Sequence, residues 1–210
     1  FAECGEITVT MLGSFSAIGA KSFAGCTIHN VVIGEGVTYI PQEAFYGCTW
    51  LTNITIPKGV KGIGYNAFCG CTGLTNITLP DSIIYIDNPF NDCTNLTSIY
   101  YDGTLETYIT NNLGFRNDSS ANFYINNEKV TEITDVVIPD SVETIGSYAF
   151  WGWKNLTNVT IPDSVTKIGQ FAFFKCTGLT NVTLPAHITE ISFCCFEYGG
   201  LTSITIPDGV

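Results

Sequence analysis

Nine cysteines in a chain of 210 residues are the side chains most able to do chemistry here. Cys26, Cys48, Cys71, Cys93 and Cys176 recur at one corner, as in Gly47-Cys48-Thr49, so stacking that corner would set them in a column. A disulfide needs Cβ atoms about 3.8 Å apart, whereas neighbouring coils offer about 5 Å. The column therefore reads as buried thiols acting as small apolar filler. Trp153 and Gly199 stand in the same column, and neither could replace a bridge or a ligand. Cys69 and Cys71 form C-x-C and Cys194 adjoins Cys195, but with no second matching pair or nearby histidine they are weak zinc signals.

The other reactive types are scattered. His29 and His187 fall in distant coils and cannot meet, so no Ser/His/Asp or Cys/His nucleophilic arrangement is available and the chain is not expected to be an enzyme. Acidic residues recur at one turn position, Glu35, Asp81, Asp140, Asp163 and Asp208, where stacked carboxylates could attract Ca²⁺. Lys58 and Ala186 interrupt that column, which reads as solvated turn residues after proline. No metal or cofactor is expected. Seven N-x-S/T sequons, at Asn53, Asn76, Asn95, Asn117, Asn155, Asn158 and Asn181, are mostly by-products of a repeated motif.

That motif is the element that must position everything else. Units opening at Leu51, Leu74, Leu156 and Leu179 read close to L-T-N-I-T-I-P-D-S-V-T-x-I-G-x-x-A-F-x-G-C-T-x, spaced by 22 or 23 residues. Weaker copies begin at Glu6, Ile28, Leu96 and Ile133, and another starts at Leu201. Positions 4 and 6 (Ile54 and Ile56, Ile77 and Leu79) alternate as a strand with both side chains inward. Positions 10 and 13 add aliphatic residues such as Val60 and Ile63, and position 18 adds a ring: Phe23, Phe45, Phe68, Phe150, Phe173 and Phe196. Pro-Asp-Ser triplets, as in Pro162-Asp163-Ser164, turn the chain between them. One coil buries too few side chains to offset the entropy of ordering its backbone, so coils must stack and share hydrogen bonds. The expected fold is a leucine-rich-repeat solenoid of about nine coils, with a short parallel β-sheet on one face and irregular, extended or short helical returns on the other.

The motif L-T-N-I-T-I-P-x-x-V-x-x-I-G-x-x-A-F-x-G-C resembles the BspA-like leucine-rich repeats, from about Ile7 to Val210. The resemblance implies a cell-surface or extracellular protein that mediates adhesion to host matrix or to other cells. It brings no catalytic residues with it.

A single solenoid over residues 1–210 is expected, with an irregular insertion at about 106–132, because the start at Ile133 comes 37 residues after Leu96. Within it Phe123-Tyr124-Ile125 and Lys129-Val130-Thr131 flank Asn126-Asn127-Glu128, which predicts a hairpin bulging from the solenoid with asparagine at positive φ. The sequence stops mid-motif at Asp208-Gly209-Val210 and has no initiator Met, so it reads as a piece of a longer protein.

Strand alternation points positions 3 and 5 outward. That face carries Asn53, Asn76, Ser98, Asn158 and Asn181 beside Thr55, Thr78, Tyr100, Thr160 and Thr183. Cross-strand Thr and Asn pairs hydrogen-bond one another, so uniform columns carry little recognition and the residues that break the repeat carry more. Those are Tyr100, the insertion aromatics Phe115, Phe123 and Tyr124, and the pair Trp151 and Trp153, for which packing into the slot left by the absent cysteine competes with binding. Lys+Arg 8 against Asp+Glu 19 gives a net charge of −11, which repels a nucleic-acid backbone, and no apolar run is long enough for membrane insertion. The expected function is an adhesion or interaction module binding a protein or glycan through the sheet face and insertion; the alternative is a stalk with no ligand of its own.

Overall fold

The computed structural model describes residues 7–11, 17–114 and 121–210. It divides into two compact units, Phe1–Gly103 with Asn117–Asn127, and Thr104–Arg116 with Glu128–Val210. In the first lie strands β1 (Thr8–Thr10), β2 (Asn30–Val32), β3 (Tyr39–Ile40), β4 (Asn53–Thr55), β5 (Gly62–Ile63), β6 (Asn76–Leu79), β7 (Tyr85–Ile86), β8 (Ser98–Tyr101) and β9 (Asn122–Ile125). In the second lie helix α1 (Leu105–Thr110), then β10 (Glu128–Lys129), a 3₁₀ turn at Val130–Glu132, and β11 (Asp135–Val137), β12 (Thr144–Ile145), β13 (Asn158–Thr160), β14 (Lys167–Ile168) and β15 (Glu190–Ile191).

The coils opening at Ile28, Leu51, Leu74, Ile133 and Leu156 each contribute two short strands, as the paired apolar positions require. Every pairing between coils is parallel and shifts by one repeat: Val31 lies opposite Ile54, Ile63 opposite Ile86, Val136 opposite Val159, Ile168 opposite Ile191. Inward positions are buried to completion at Ile40, Ile63, Leu51, Leu74 and Ile168. Among the described residues no polar or charged side chain is buried. The segments Asn181–Leu184 and Ser203–Ile206 follow the motif but do not form regular strands.

The returns are built from consecutive turns. In the coils opening at Glu6, Ile28, Ile133 and Leu156, the N–H groups at positions 16, 18 and 20 donate to the next coil, as Glu43 to Tyr65 O, Phe45 to Ala67 O and Gly47 to Cys69 O do at 2.7–3.0 Å. The intervening N–H groups bond within the coil, as Tyr46 does to Glu43 O at 3.1 Å. Aiming alternate amides along the stack takes positive φ at positions 16 and 20. Position 20 is glycine at Gly25, Gly47, Gly70 and Gly152, with φ of 68–74°, where a side chain is costly. Inside the returns the position 18 rings form a stacked ladder: Phe23, Phe45 and Phe68 at centroid spacings of 5.2 and 5.4 Å, and Phe150, Phe173 and Phe196 at 5.0 and 5.3 Å.

The described cysteines are all unbridged. The thiol column does more than fill space. Cys48, Cys71, Cys93 and Cys176 each donate from Sγ to the carbonyl of the position 18 phenylalanine one coil earlier, Phe23, Phe45, Phe68 and Phe150, at 2.9–3.1 Å. The same carbonyls accept the N–H of their own coil's corner residue, so both lone pairs are used. Burial pushes the Cys48 thiol up to about 11 and those of Cys93, Cys176 and Cys195 to about 12, and it raises Cys71 further. At pH 8 such groups hold about one part in a thousand or less of the nucleophilic thiolate. Iodoacetamide at that pH is expected to leave these five unmodified in the native protein and to label them in urea, as read by mass spectrometry. Rapid native labelling of Cys71 would contradict the buried column.

The region expected to bulge out as a hairpin keeps the asparagine turn but not the bulge. Strand β9 lies in parallel register on β8, with Ile99 opposite Phe123 and Tyr101 opposite Ile125, so it extends the sheet. Its alternation explains this: Phe123 and Ile125 bury inward while Asn122 and Tyr124 stay partly open. Asn126 and Asn127 take positive φ, 49° and 63°, in the turn that follows. Leu105–Thr110 forms α1 where the preceding coils carry their second strand. Thr104 caps it by accepting the Thr107 N–H at 3.1 Å, and the helix buries Tyr108 and Ile109. Among the described residues no helix is long and apolar enough to cross a membrane.

Candidate functional site

Outward positions on the sheet of the first unit form two rows. One runs Asn76, Ser98, Asn122 and the other Thr78, Tyr100, Tyr124, each set by the register of β6, β8 and β9. Tyr100 and Tyr124 stack with centroids 4.9 Å apart and planes 21° from parallel. The structure thus joins a sheet residue and an insertion residue into one aromatic platform, half-exposed, beside open Asn76 and Thr78. Such a pair presents stiff apolar area edged by phenol groups, which suits contact with a partner surface.

The asparagine ladder is largely spent on itself. Asn53 Nδ2 donates to Asn30 Oδ1 at 2.9 Å, and in the second unit Asn158 Nδ2 donates to Asp135 Oδ1 at 2.6 Å. The Thr134 hydroxyl, and after it this Asn158 bond, hold the Asp135 carboxyl below its ordinary value. Threonines at position 2 seal backbone: Thr52 Oγ1 donates to His29 O and Thr157 Oγ1 to Thr134 O, at 3.0 and 3.1 Å. Thr55, Thr78, Thr160, Asn181 and Thr183 remain exposed.

Two candidates belong to the core instead. Phe123 is 7% and Trp153 2% exposed, because β9 turns Phe123 inward with Ile125 and because Trp153 fills the corner slot edge-on to Phe150 at 5.1 Å. Neither can reach a partner. Phe115 lies outside the described residues. Trp151 is half-buried on the return side of the second unit, stacked on Phe174 at 4.1 Å.

Trp151 belongs to a cluster that motif reading missed. Tyr148 stacks on Phe171 at 5.3 Å, Phe193 and Tyr198 pack edge-on to Phe171 and Phe174, and Lys175 Nζ lies 5.3 Å from the Phe174 ring centre. Phe193 and Tyr198 are 69% and 68% exposed. The available signal was the aromatic residues Tyr148 and Phe171 at position 16 of the later coils, where the earlier ones carry Lys21, Glu43 and Asn66. Among the described residues no group of three metal-ligating side chains converges.

A stack of parallel coils with inward aliphatic strands and an outward Asn/Thr face defines a leucine-rich-repeat scaffold. The model of the BspA type leucine rich repeat region matches residues 16–135 and 126–210, in 6 copies, and the chain belongs to that family. Among solved structures, the pneumococcal vaccine antigen PcpA is 16% identical over 97% of this chain and 55% of its own, with a TM-score of 0.52. A leucine-rich repeat protein from Eubacterium ventriosum is 20% identical over 94% of this chain and 59% of its own, with a TM-score of 0.50. These two share the fold, and the chain spans little more than half of either. A leucine rich cell surface protein from Faecalibacterium prausnitzii is 29% identical over 96% of this chain and 48% of its own, with a TM-score of 0.42. No curated protein matches the chain.

Proposed function

We propose that this chain is the interaction module of a cell-surface or secreted protein, adhering to a protein or glycan on host matrix or on another cell, and that it does no catalysis. The observation that carries this reading is the Tyr100–Tyr124 platform, where the sheet face and the repeat-breaking segment meet in one register. The surface setting is supported by membership of the BspA type repeat family. The self-satisfied Asn30–Asn53 and Asp135–Asn158 bonds favour a spacer role for the rest of the sheet face.

The test is solid-phase binding of the chain to extracellular-matrix proteins and glycans, repeated with Tyr100→Ser and Tyr124→Ser together. Removing residues 116–131 would also delete buried Phe123 and Ile125, so the paired substitution is the cleaner probe. Loss of the two rings is expected to weaken binding tenfold or more with little change in melting temperature. Retained affinity would move the site elsewhere, and no binding at all would leave the stalk as the better account.

A further inference from the structure

The return side of the first unit holds a cleft of about 440 Å³, lined by Tyr46, Tyr65, Asn66, Cys69, Asn91 and Asp92. These residues occupy return positions whose identity changes from coil to coil, so stacking alone does not demand them. Asp92 is the clearest departure. It holds the left-handed corner, at φ 56°, that glycine fills in the coils of Gly25, Gly47 and Gly70. Glycine adopts that conformation at less cost, and aspartate there places a carboxylate on the cleft.

The surrounding groups are arranged around it. Cys69 Sγ lies 3.9 Å from Asp92 Oδ2 as donor, and burial, then the Asp92 charge, keep that thiol protonated. Asn91 Nδ2 donates to Asn66 Oδ1 at 2.7 Å, which orients both amides and leaves the Asn66 amide hydrogens and the Asn91 carbonyl as the groups they would offer a ligand. Tyr46 and Tyr65, from adjacent coils, are each 45% exposed and supply ring faces.

A carboxylate, two oriented amides and two phenol rings match a ligand with neighbouring hydroxyls on one side and a C–H face on the other. The volume falls within the range of about 300–1,000 Å³ usual for small-molecule sites. One carboxylate is too few for a divalent calcium ion, which takes about six to eight oxygens. The chain's charge of −11 disfavours an anion, and no aliphatic side chain lines the cleft for a lipid. We propose that this cleft binds a neutral sugar ring, with Asp92, Asn66 and Asn91 bonding its hydroxyls and Tyr46 and Tyr65 stacking on its C–H face. The site is separate from the Tyr100–Tyr124 platform and stands or falls without it.

The chain is screened on a glycan array, and hits are titrated by calorimetry, alongside free glucose, galactose, mannose and N-acetylglucosamine. Asp92→Gly installs the residue that other coils carry at this corner, so its melting temperature is expected to match or exceed that of the parent. Sugar affinity is expected to fall tenfold or more in Asp92→Gly and, separately, in Tyr65→Ala, while Tyr100→Ser with Tyr124→Ser leaves it unchanged. Three results overturn the proposal: no sugar retained, retention indifferent to Asp92→Gly, or retention lost only with the sheet-face pair. Calcium binding without sugar that disappears in Asp92→Gly would replace it with a cation site.

Discussion

Trp153→Cys is expected to destabilise the second unit by about 3–5 kcal/mol, although cysteine is what the motif places at this corner. Trp153 is 2% exposed, with Phe150 edge-on at 5.1 Å and the ring of Tyr108 at 6.1 Å. Tyr108 comes from α1 and is itself anchored, its hydroxyl donating to Ala149 O at 2.8 Å. Elsewhere a corner thiol finds the phenylalanine carbonyl of the preceding coil. The aromatic beside Trp153 is instead a helix tyrosine, so a thiol here would lose that acceptor and leave the indole's volume empty. Urea unfolding followed by circular dichroism reads the effect, and a near-neutral substitution would show that the slot can collapse around a small residue. The repeat consensus is therefore a poor guide to stabilising this coil.

Phe68→Ala is expected to cost a similar amount, about 3–5 kcal/mol, in the first unit. Phe68 is fully buried between Phe45 and Phe90, at 5.4 and 5.8 Å, so its removal opens a gap that neither neighbour can fill without leaving its own stack. Its carbonyl also holds the Cys71 N–H and the Cys93 thiol, both at 3.0 Å, and a shift of backbone into the gap would loosen both. Because coils are stabilised chiefly by their neighbours, the loss should spread along the unit as reduced amide-exchange protection in the flanking returns. Protection unchanged beyond the Phe68 coil would argue that coils fold more independently than the stacking requires.

Much of this is legible in the sequence. The two-residue alternation at positions 4 and 6 and the single ring at position 18 translate directly into parallel strands and a phenylalanine stack, because each column meets only its own copy one repeat away. The outward placement of Asn53, Thr55, Asn76 and Thr78 followed from the same alternation. Where the period broke, that logic had no neighbour to work from. Phe123 and Tyr124 could be named as aromatic but not assigned a face, since one residue of register decides which of them is buried. The cleft between Tyr46, Tyr65 and Asp92 was invisible for a related reason: its residues come from three coils, the tyrosines from positions the motif leaves blank and Asp92 from a corner where it replaces the motif's glycine.

The sequence by itself determined the class of fold, the columns and the thiol ladder, because a repeat makes every contact a contact between equivalent positions and so reduces folding to one coil and its copy. Only the tertiary structure decided which departures from the repeat are surface and which are core. Trp153 and Trp151 are two residues apart, yet one fills a corner and the other joins an exposed cluster, because the backbone turns between them at Gly152 with φ 74°. The corner thiols of Cys48, Cys71, Cys93 and Cys176, reactive by type, are held as donors to phenylalanine carbonyls. Whether a cysteine is chemistry or scaffold depends on what its neighbouring coil presents, and that is a property of stacking rather than of spacing.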